Sequence, residues 1–202
     1  MIKKYFLTII LSILSFQTLV KAENVKDFQI EGMSVGDSLL DYMSKKLIVE
    51  EINNKDITYY YKDDYVSIST FVMRDNYEIY DDVGVVFDPK DKNYTIVALE
   101  GTLEFEGENL NINDCYKKQD QIFDDIKSSL KSAVQEDEWF TPKERLRSHQ
   151  LSIKNKDLAL GDIYKNGSIR TTCYEIKRDN KSYNLLYISL VSPEFNKYID
   201  SL

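Results

Sequence analysis

Histidine and tryptophan occur once each in these 202 residues, cysteine twice and proline three times. One histidine, His149, and two cysteines far apart in sequence offer no ligand set for zinc. Basic residues are in deficit, 26 against 34 acidic ones. A chain of that sign repels phosphate backbones and anionic lipid headgroups, so nucleic-acid and membrane-surface roles are disfavoured. Long apolar runs are missing too. The only candidate, Tyr5–Phe16, is interrupted by Thr8, Ser12 and Ser15. It falls short of the ~20 apolar residues that a membrane-spanning helix needs. There is no internal repeat and no low-complexity tract.

The short apolar run has another use. Lys3 and Lys4 precede it, and Val20-Lys21-Ala22 follows with small residues at the two positions a signal peptidase reads. Residues 1–22 therefore read as a secretory signal peptide, with cleavage after Ala22. The mature chain, 23–202, would carry 23 basic and 34 acidic residues, a net charge of −11. Its length suits a single domain with a real core. No cysteine follows the cleavage site, so neither a lipid anchor nor stable membrane insertion is expected. An exported chain, periplasmic or secreted, meets an oxidising compartment. Cys115 and Cys173 are accordingly expected to form a disulfide. Nothing in the residues calls for a cofactor.

Hydrophobic periodicity predicts an α+β fold, an antiparallel sheet with helices packed on one face. Phe28 and Ile30 predict a short strand. Gly32-Met33 then leads into a helix capped by Ser34, with Asp37 as half of a capping box. Val35, Leu39, Leu40 and Met43 form its stripe, and Lys45 and Lys46 its C-terminal end. Two hairpins follow: Ile57–Lys62 with Val66–Val72 across Asp63-Asp64, and Val83–Phe87 with Tyr94–Phe105 across Asp88-Pro89-Lys90-Asp91. In the last of these strands Val97, Leu99, Leu103 and Phe105 share one face, while Glu100, Thr102 and Glu104 share the other, which predicts a sheet covered on a single side. A long helix capped by Asn113 or Asp114 carries Cys115, Ile122, Ile126, Leu130 and Ala133 and ends near Val134. Its apolar stripe is expected to cover Val97, Leu99 and Leu103. Residues 135–160 read as a polar connection with room for a short helix after Pro142. Asn166-Gly167 predicts a type I′ turn, followed by strands Ser168–Ile176 and Tyr183–Val191. Ser192-Pro193 opens a final helix with Phe195, Tyr198, Ile199 and Leu202 as its buried stripe.

Gly36-Asp37-Ser38-Leu39 is the signature of the GDSL-type esterases and lipases, which this stretch resembles. The resemblance implies Ser38 as nucleophile and His149, the only histidine, as its base. Leu146 stands where that family has an aspartate three residues before the histidine. Gly107-Glu108-Asn109 begins like the family's oxyanion block, but Leu110 replaces its aspartate. The residues themselves place Ser38 in the first turns of an amphipathic helix, and no catalytic residue is assigned. Gly32-Met33-Ser34 with Leu39-Leu40 resembles the helix start of the SmpA/OmlA-type lipoproteins of outer-membrane assembly, which implies a non-catalytic envelope module. More broadly the chain resembles exported proteins of AT-rich Gram-negative bacteria, which implies no activity.

Asp63-Asp64, Asp81-Asp82, Asp88, Asp91 and Asp124-Asp125 are acidic, but the loop starting at Asp91 has Ile96 and Thr102 where a calcium loop needs glycine and glutamate. They read as solvated residues, and no metal is expected. Tyr59, Tyr61 and Tyr65 are the candidate binding residues, because a tyrosine offers a flat apolar face with a polar tip. The expected function is a non-catalytic binding or assembly module, with an envelope protein or a small ligand as partner. The GDSL-type hydrolase is the alternative.

Overall fold

The computed structural model describes residues 22–54, 58–62, 64–105, 111–130, 134–141, 146–153, 167–178 and 181–202. The fold class is α+β, as expected. One antiparallel sheet holds eight strands: β1 Tyr59–Tyr61, β2 Tyr65–Ser69, β3 Asp82–Phe87, β4 Ile96–Phe105, β5 Val134–Thr141, β6 Leu146–Ile153, β7 Ser168–Arg178 and β8 Lys181–Val191. Their order is β1-β2-β3-β4-β8-β7-β6-β5. The sheet is thus two four-strand meanders joined where β4 pairs antiparallel with β8. The expected hairpins are present, and the strand read as Val66–Val72 stops at Ser69, followed by a 3-10 helix at Phe71–Asn76. Residues 1–21 of the expected signal peptide 1–22, and Ile57, Asp63, Gly107 to Leu110, Ala133, Pro142 and Asn166, lie outside the described residues.

One sheet face carries the main core. Val66, Ile68, Val83, Val85 and Leu99 form its floor, and Val25, Ile30, Met33, Val35, Leu39, Met43 and Ile48 cover it. Most of that cover is not helical, which corrects two expectations. Ile30 and Met33 bridge each other through two backbone hydrogen bonds instead of extending a strand. Glu31 and Gly32 make the tight turn between them, both at positive φ (49° and 80°), as a type I′ turn requires. The helix read after Ser34 is absent. Gly36 sits at φ 98°, incompatible with a helix, and its N–H bonds the Ile96 carbonyl at the start of β4. Only a 3-10 turn, Leu39–Asp41, forms there. The first α-helix, α1, is Lys45–Ile52, so Lys45 and Lys46 begin a helix instead of ending one.

The long helix, α2, spans Ile112–Ser129 and is capped by Asn111, two residues before the nearer of the expected caps, with Asp114 completing the capping box. It ends five residues before Val134, which opens β5. The helix links β4, in the middle of the sheet, to β5 at the far edge. It therefore crosses the second meander and lies on β7, β8 and β6. Expected partners are met in part: Ile126 packs with the core that holds Leu99, and Ile122 with Leu103. Val97 instead joins the cluster around Phe195. The fully buried sulfurs of Cys115 and Cys173 are bonded, with Cα atoms 6.0 Å apart, stapling α2 to β7. A bridge over 58 residues contributes about 4 kcal/mol in the chain-entropy view.

Within the stretch read as a connection, 135–160, the described residues 135–141 and 146–153 are strands, which corrects that expectation. Val134–Thr141 and Leu146–Ile153 form a hairpin, and β6 pairs with β7. Backbone pairing needs no apolar side chains, and Ser148 and Gln150 are buried polar residues of β6. The C-terminal helix, α3, is Pro193–Asp200, capped by Ser192 as expected. It sits against Val86 and Ala98, which face away from Val85 and Leu99, so it lies at one end of the second sheet face. Phe195 is buried and Tyr198 half-buried there, whereas Ile199 and Leu202 are exposed, contrary to the expected stripe. The other buried residue of the helix is Asn196, which donates to Ser168 Oγ.

On α2 three buried positions lie outside the expected stripe, Ile112, Gln119 and Phe123, and Phe123 is the largest. Phe123→Ala should cost about 3–5 kcal/mol, because transfer and cavity terms add. Asp125→Ala, on the exposed side, should change stability by no more than about 0.5 kcal/mol. Urea denaturation of the two variants measures this, and equal midpoints would mean the helix faces are misassigned.

Candidate functional site

The second face of the sheet is polar, and one row across it forms the floor of a groove. Register sets Gly84 of β3 opposite Glu100 of β4, Glu100 opposite Ser189 of β8, Ser189 opposite Arg170 of β7, and Arg170 opposite Gln150 of β6. Period-two alternation turns all five to the same side. Helix α3 walls the groove with Phe195, Asn196, Ile199 and Asp200, and Tyr61 closes the β1 end. The enclosed space is about 200 Å³. The helix is held in place by its cap, by the Ser192 N–H on the Val97 carbonyl, and by the Tyr198 hydroxyl on the Tyr61 carbonyl at 2.6 Å.

Opposite charges stand in this row. Glu100 Oε2 accepts a hydrogen bond from Ser189 Oγ at 2.9 Å. The Arg170 guanidinium donates through Nε and Nη2 to Gln150 Oε1, at 3.2 and 2.7 Å, which fixes its position over β7. Water still reaches the Glu100 carboxyl from the groove, but protein hems it in. That partial desolvation raises its pKa, against the lowering effects of the Ser189 bond and the Arg170 charge, with Asp82 raising it further. Tyr61 is also raised, by burial first and then by Glu100 and Tyr59. Along the same face, Tyr187 of the next row and Tyr174, one row further on, meet diagonally: their rings stack at 5.0 Å with their hydroxyls hydrogen-bonded at 2.5 Å.

The three tyrosines singled out from the sequence have three different placements. Tyr61 lines the groove and packs edge-on to Phe195 at 5.1 Å. Tyr65 packs against Phe195 and Tyr198, fastening α3 to the sheet. Tyr59 is 63% exposed at the edge. Glu100, Ser189, Arg170 and Gln150 were not singled out. Each is an ordinary polar residue in strand alternation, and their shared row depends on the pairing of β4 with β8 and of β6 with β7.

Ser38 occupies a different place. It is bridged to Thr95 just before β4. Its hydroxyl donates to the Asn93 carbonyl at 2.8 Å and accepts the Leu40 N–H, capping the 3-10 turn. The His149 backbone lies in β6, paired with Thr171, with β8 and β7 between it and β4. Three strand spacings make a lateral separation on the order of 14 Å. Asp88 and Asp91 accept backbone N–H groups within their own turn, and Asp91 is held below the usual carboxylate range by its bonds to Thr95 and Asn93. Among the described residues no cluster of three or more histidine, cysteine or acidic side chains is placed to hold a metal.

Compared with protein-family models, with curated proteins and with solved structures, the chain matches none of them.

The raised pKa of Glu100 has a consequence for stability. A carboxyl whose folded pKa exceeds its unfolded value contributes stability below the unfolded pKa and loses it as pH rises through the folded value. At pH 7 the ionised group therefore works against folding. Glu100→Gln, which keeps an acceptor for Ser189, should raise the denaturation midpoint at pH 7, and the gain should shrink as pH falls toward about 4. Thermal denaturation across that range measures it, and a lowered midpoint at pH 7 would contradict the desolvation argument.

Proposed function

We propose that this chain is an exported envelope protein, periplasmic or secreted, that acts by binding and not by catalysis, and that the groove beneath α3 is where it binds a small polar ligand. The observation that carries this reading is the row of Glu100, Ser189, Arg170 and Gln150 across four strands, walled by a helix. Two charges of opposite sign lining one concave surface beside a helix give a small polar ligand fixed, complementary groups to meet. The disulfide suits an oxidising compartment. Among the described residues, no helix is long and apolar enough to cross a membrane.

A non-catalytic role is supported by the use already made of Ser38, whose hydroxyl serves the Asn93 carbonyl and the Leu40 N–H. An activated serine would need a base within ~3.2 Å. Exposure to a fluorophosphonate probe should therefore leave Ser38 unlabelled. Labelling that disappears in Ser38→Ala would promote the ester-hydrolase alternative with His149 as base.

Gly84 gives a direct test of the groove. A Cβ at this position would meet its nearest neighbours, Glu100 and the Ile68 carbonyl, at 3.9 Å, so a side chain can be added without a clash at its root. Gly84→Leu should fold and fill the floor. Screened against small polar metabolites by thermal shift, the natural protein should give hits that Gly84→Leu lacks. A ligand present at a hundred times its Kd stabilises by about 2.7 kcal/mol. Identical hits for both proteins would place binding elsewhere.

A further inference from the structure

We infer that the groove selects a small zwitterion of the amino acid or dipeptide class, with its ammonium toward Glu100 and its carboxylate on Arg170. This rests on the groove being the binding site, and adds the chemistry of the occupant.

Three features of the floor lead there. First, the two charges are ordered and separated: Glu100 and Arg170 flank Ser189, so their backbones stand two strand spacings apart, about 10 Å. The residue between them is small, which leaves the space over β8 open to a molecule bridging both. Second, each charged group is held by a neutral neighbour in the row. Gln150 accepts from Arg170, and Ser189 donates to Glu100, so neither needs the other as a partner to be positioned. Among the described residues Ser189 is the hydrogen-bond donor to the Glu100 carboxylate, and it is neutral; an ammonium would add a charge-assisted hydrogen bond to that carboxylate, which the Arg170 charge reaches only from a distance. Third, the lining carries Glu100 and Asp200 against Arg170, so it offers complementary sites to both ends of a zwitterion. A simple anion would face two carboxylates, and a simple cation would face the guanidinium. The apolar side of the wall, Phe195 and Ile199, suits the carbon skeleton, and a space of about 200 Å³ admits an amino acid or a dipeptide.

The test titrates the purified protein with glycylglycine, L-alanine and γ-aminobutyrate, and in parallel with methylammonium and acetate, following backbone amide shifts by NMR and affinity by calorimetry. At least one zwitterion should give saturable shifts at Glu100, Ser189, Arg170 and Asn196 and bind at least tenfold more tightly than either single-charge compound. Glu100→Gln and Arg170→Gln should each weaken that zwitterion at least tenfold, with far-ultraviolet circular dichroism unchanged. Saturable shifts in the groove with methylammonium or acetate as strong as with any zwitterion would overturn the inference and leave the groove standing as a binding site. So would a zwitterion whose affinity ignores Arg170→Gln. No groove shifts with any of the five, together with metabolite hits indifferent to Gly84→Leu, would overturn both.

Discussion

Helix α2 is fastened to β7 by one covalent bond and one buried amide, and the rest of the molecule is arranged around that seam. Cys115 bonds Cys173, and one turn later the fully buried Gln119 donates to the Thr171 and Arg147 carbonyls and accepts from Arg147 Nε. The Arg147 guanidinium also donates to the Tyr116 carbonyl and to Asp120, and lies 4.6 Å from the centre of the Tyr116 ring. A buried amide with its donors and acceptor satisfied tolerates little sliding. The helix therefore dictates which face of the second meander is dry, and β7 passes that choice by register to β6 and β8.

Once one face is dry, the other must take whatever alternation leaves over. On β7 the residues between Ile169 and Cys173 that turn away from the helix are Arg170 and Thr172; on β8 they are Tyr187 and Ser189. The C-terminal helix covers only the end of this surface where Val86 and Ala98 supply apolar contact. Beyond them the row turns polar, and the helix overhangs it without a matching apolar floor. The groove is the result, and the perturbed carboxyl of Glu100 lies where the overhang begins.

Much of the sheet was legible because its strands alternate. Tyr65–Ser69, Asp82–Phe87, Ile96–Phe105 and β8 put apolar residues at alternate positions on one face, β7 does so with Thr171 as an exception between Ile169 and Cys173, and the residues joining them are rich in Asp, Asn, Pro or Lys. The N-terminal cover was misread because Val35, Leu39 and Met43 have helical spacing yet are buried by a looped chain. Gly36 was the available signal, since its positive φ and its bond to Ile96 tie that stretch to the sheet. Residues 134–153 were misread for the opposite reason. Their hairpin is held by backbone pairing at the sheet margin, which leaves little hydrophobic pattern to detect. Another acidic residue shows the same gap between pattern and role. Glu31, in the tight turn, accepts the backbone N–H groups of Glu78, Ile79 and Tyr80, and these three bonds outweigh the desolvation of its carboxyl and lower its pKa.

By itself the sequence determined the class of fold, the disulfide partners, both main hairpin regions and the start of the last helix, because each depends on local periodicity, on cap chemistry or on there being only two cysteines. Tertiary structure alone decided which strands became neighbours. The joining of β4 to β8 brings Glu100 and Ser189 together across 89 residues of sequence, and no local pattern encodes such a pairing. A site assembled from one residue per strand is specified by sheet order and register, and those emerge only when the whole core closes.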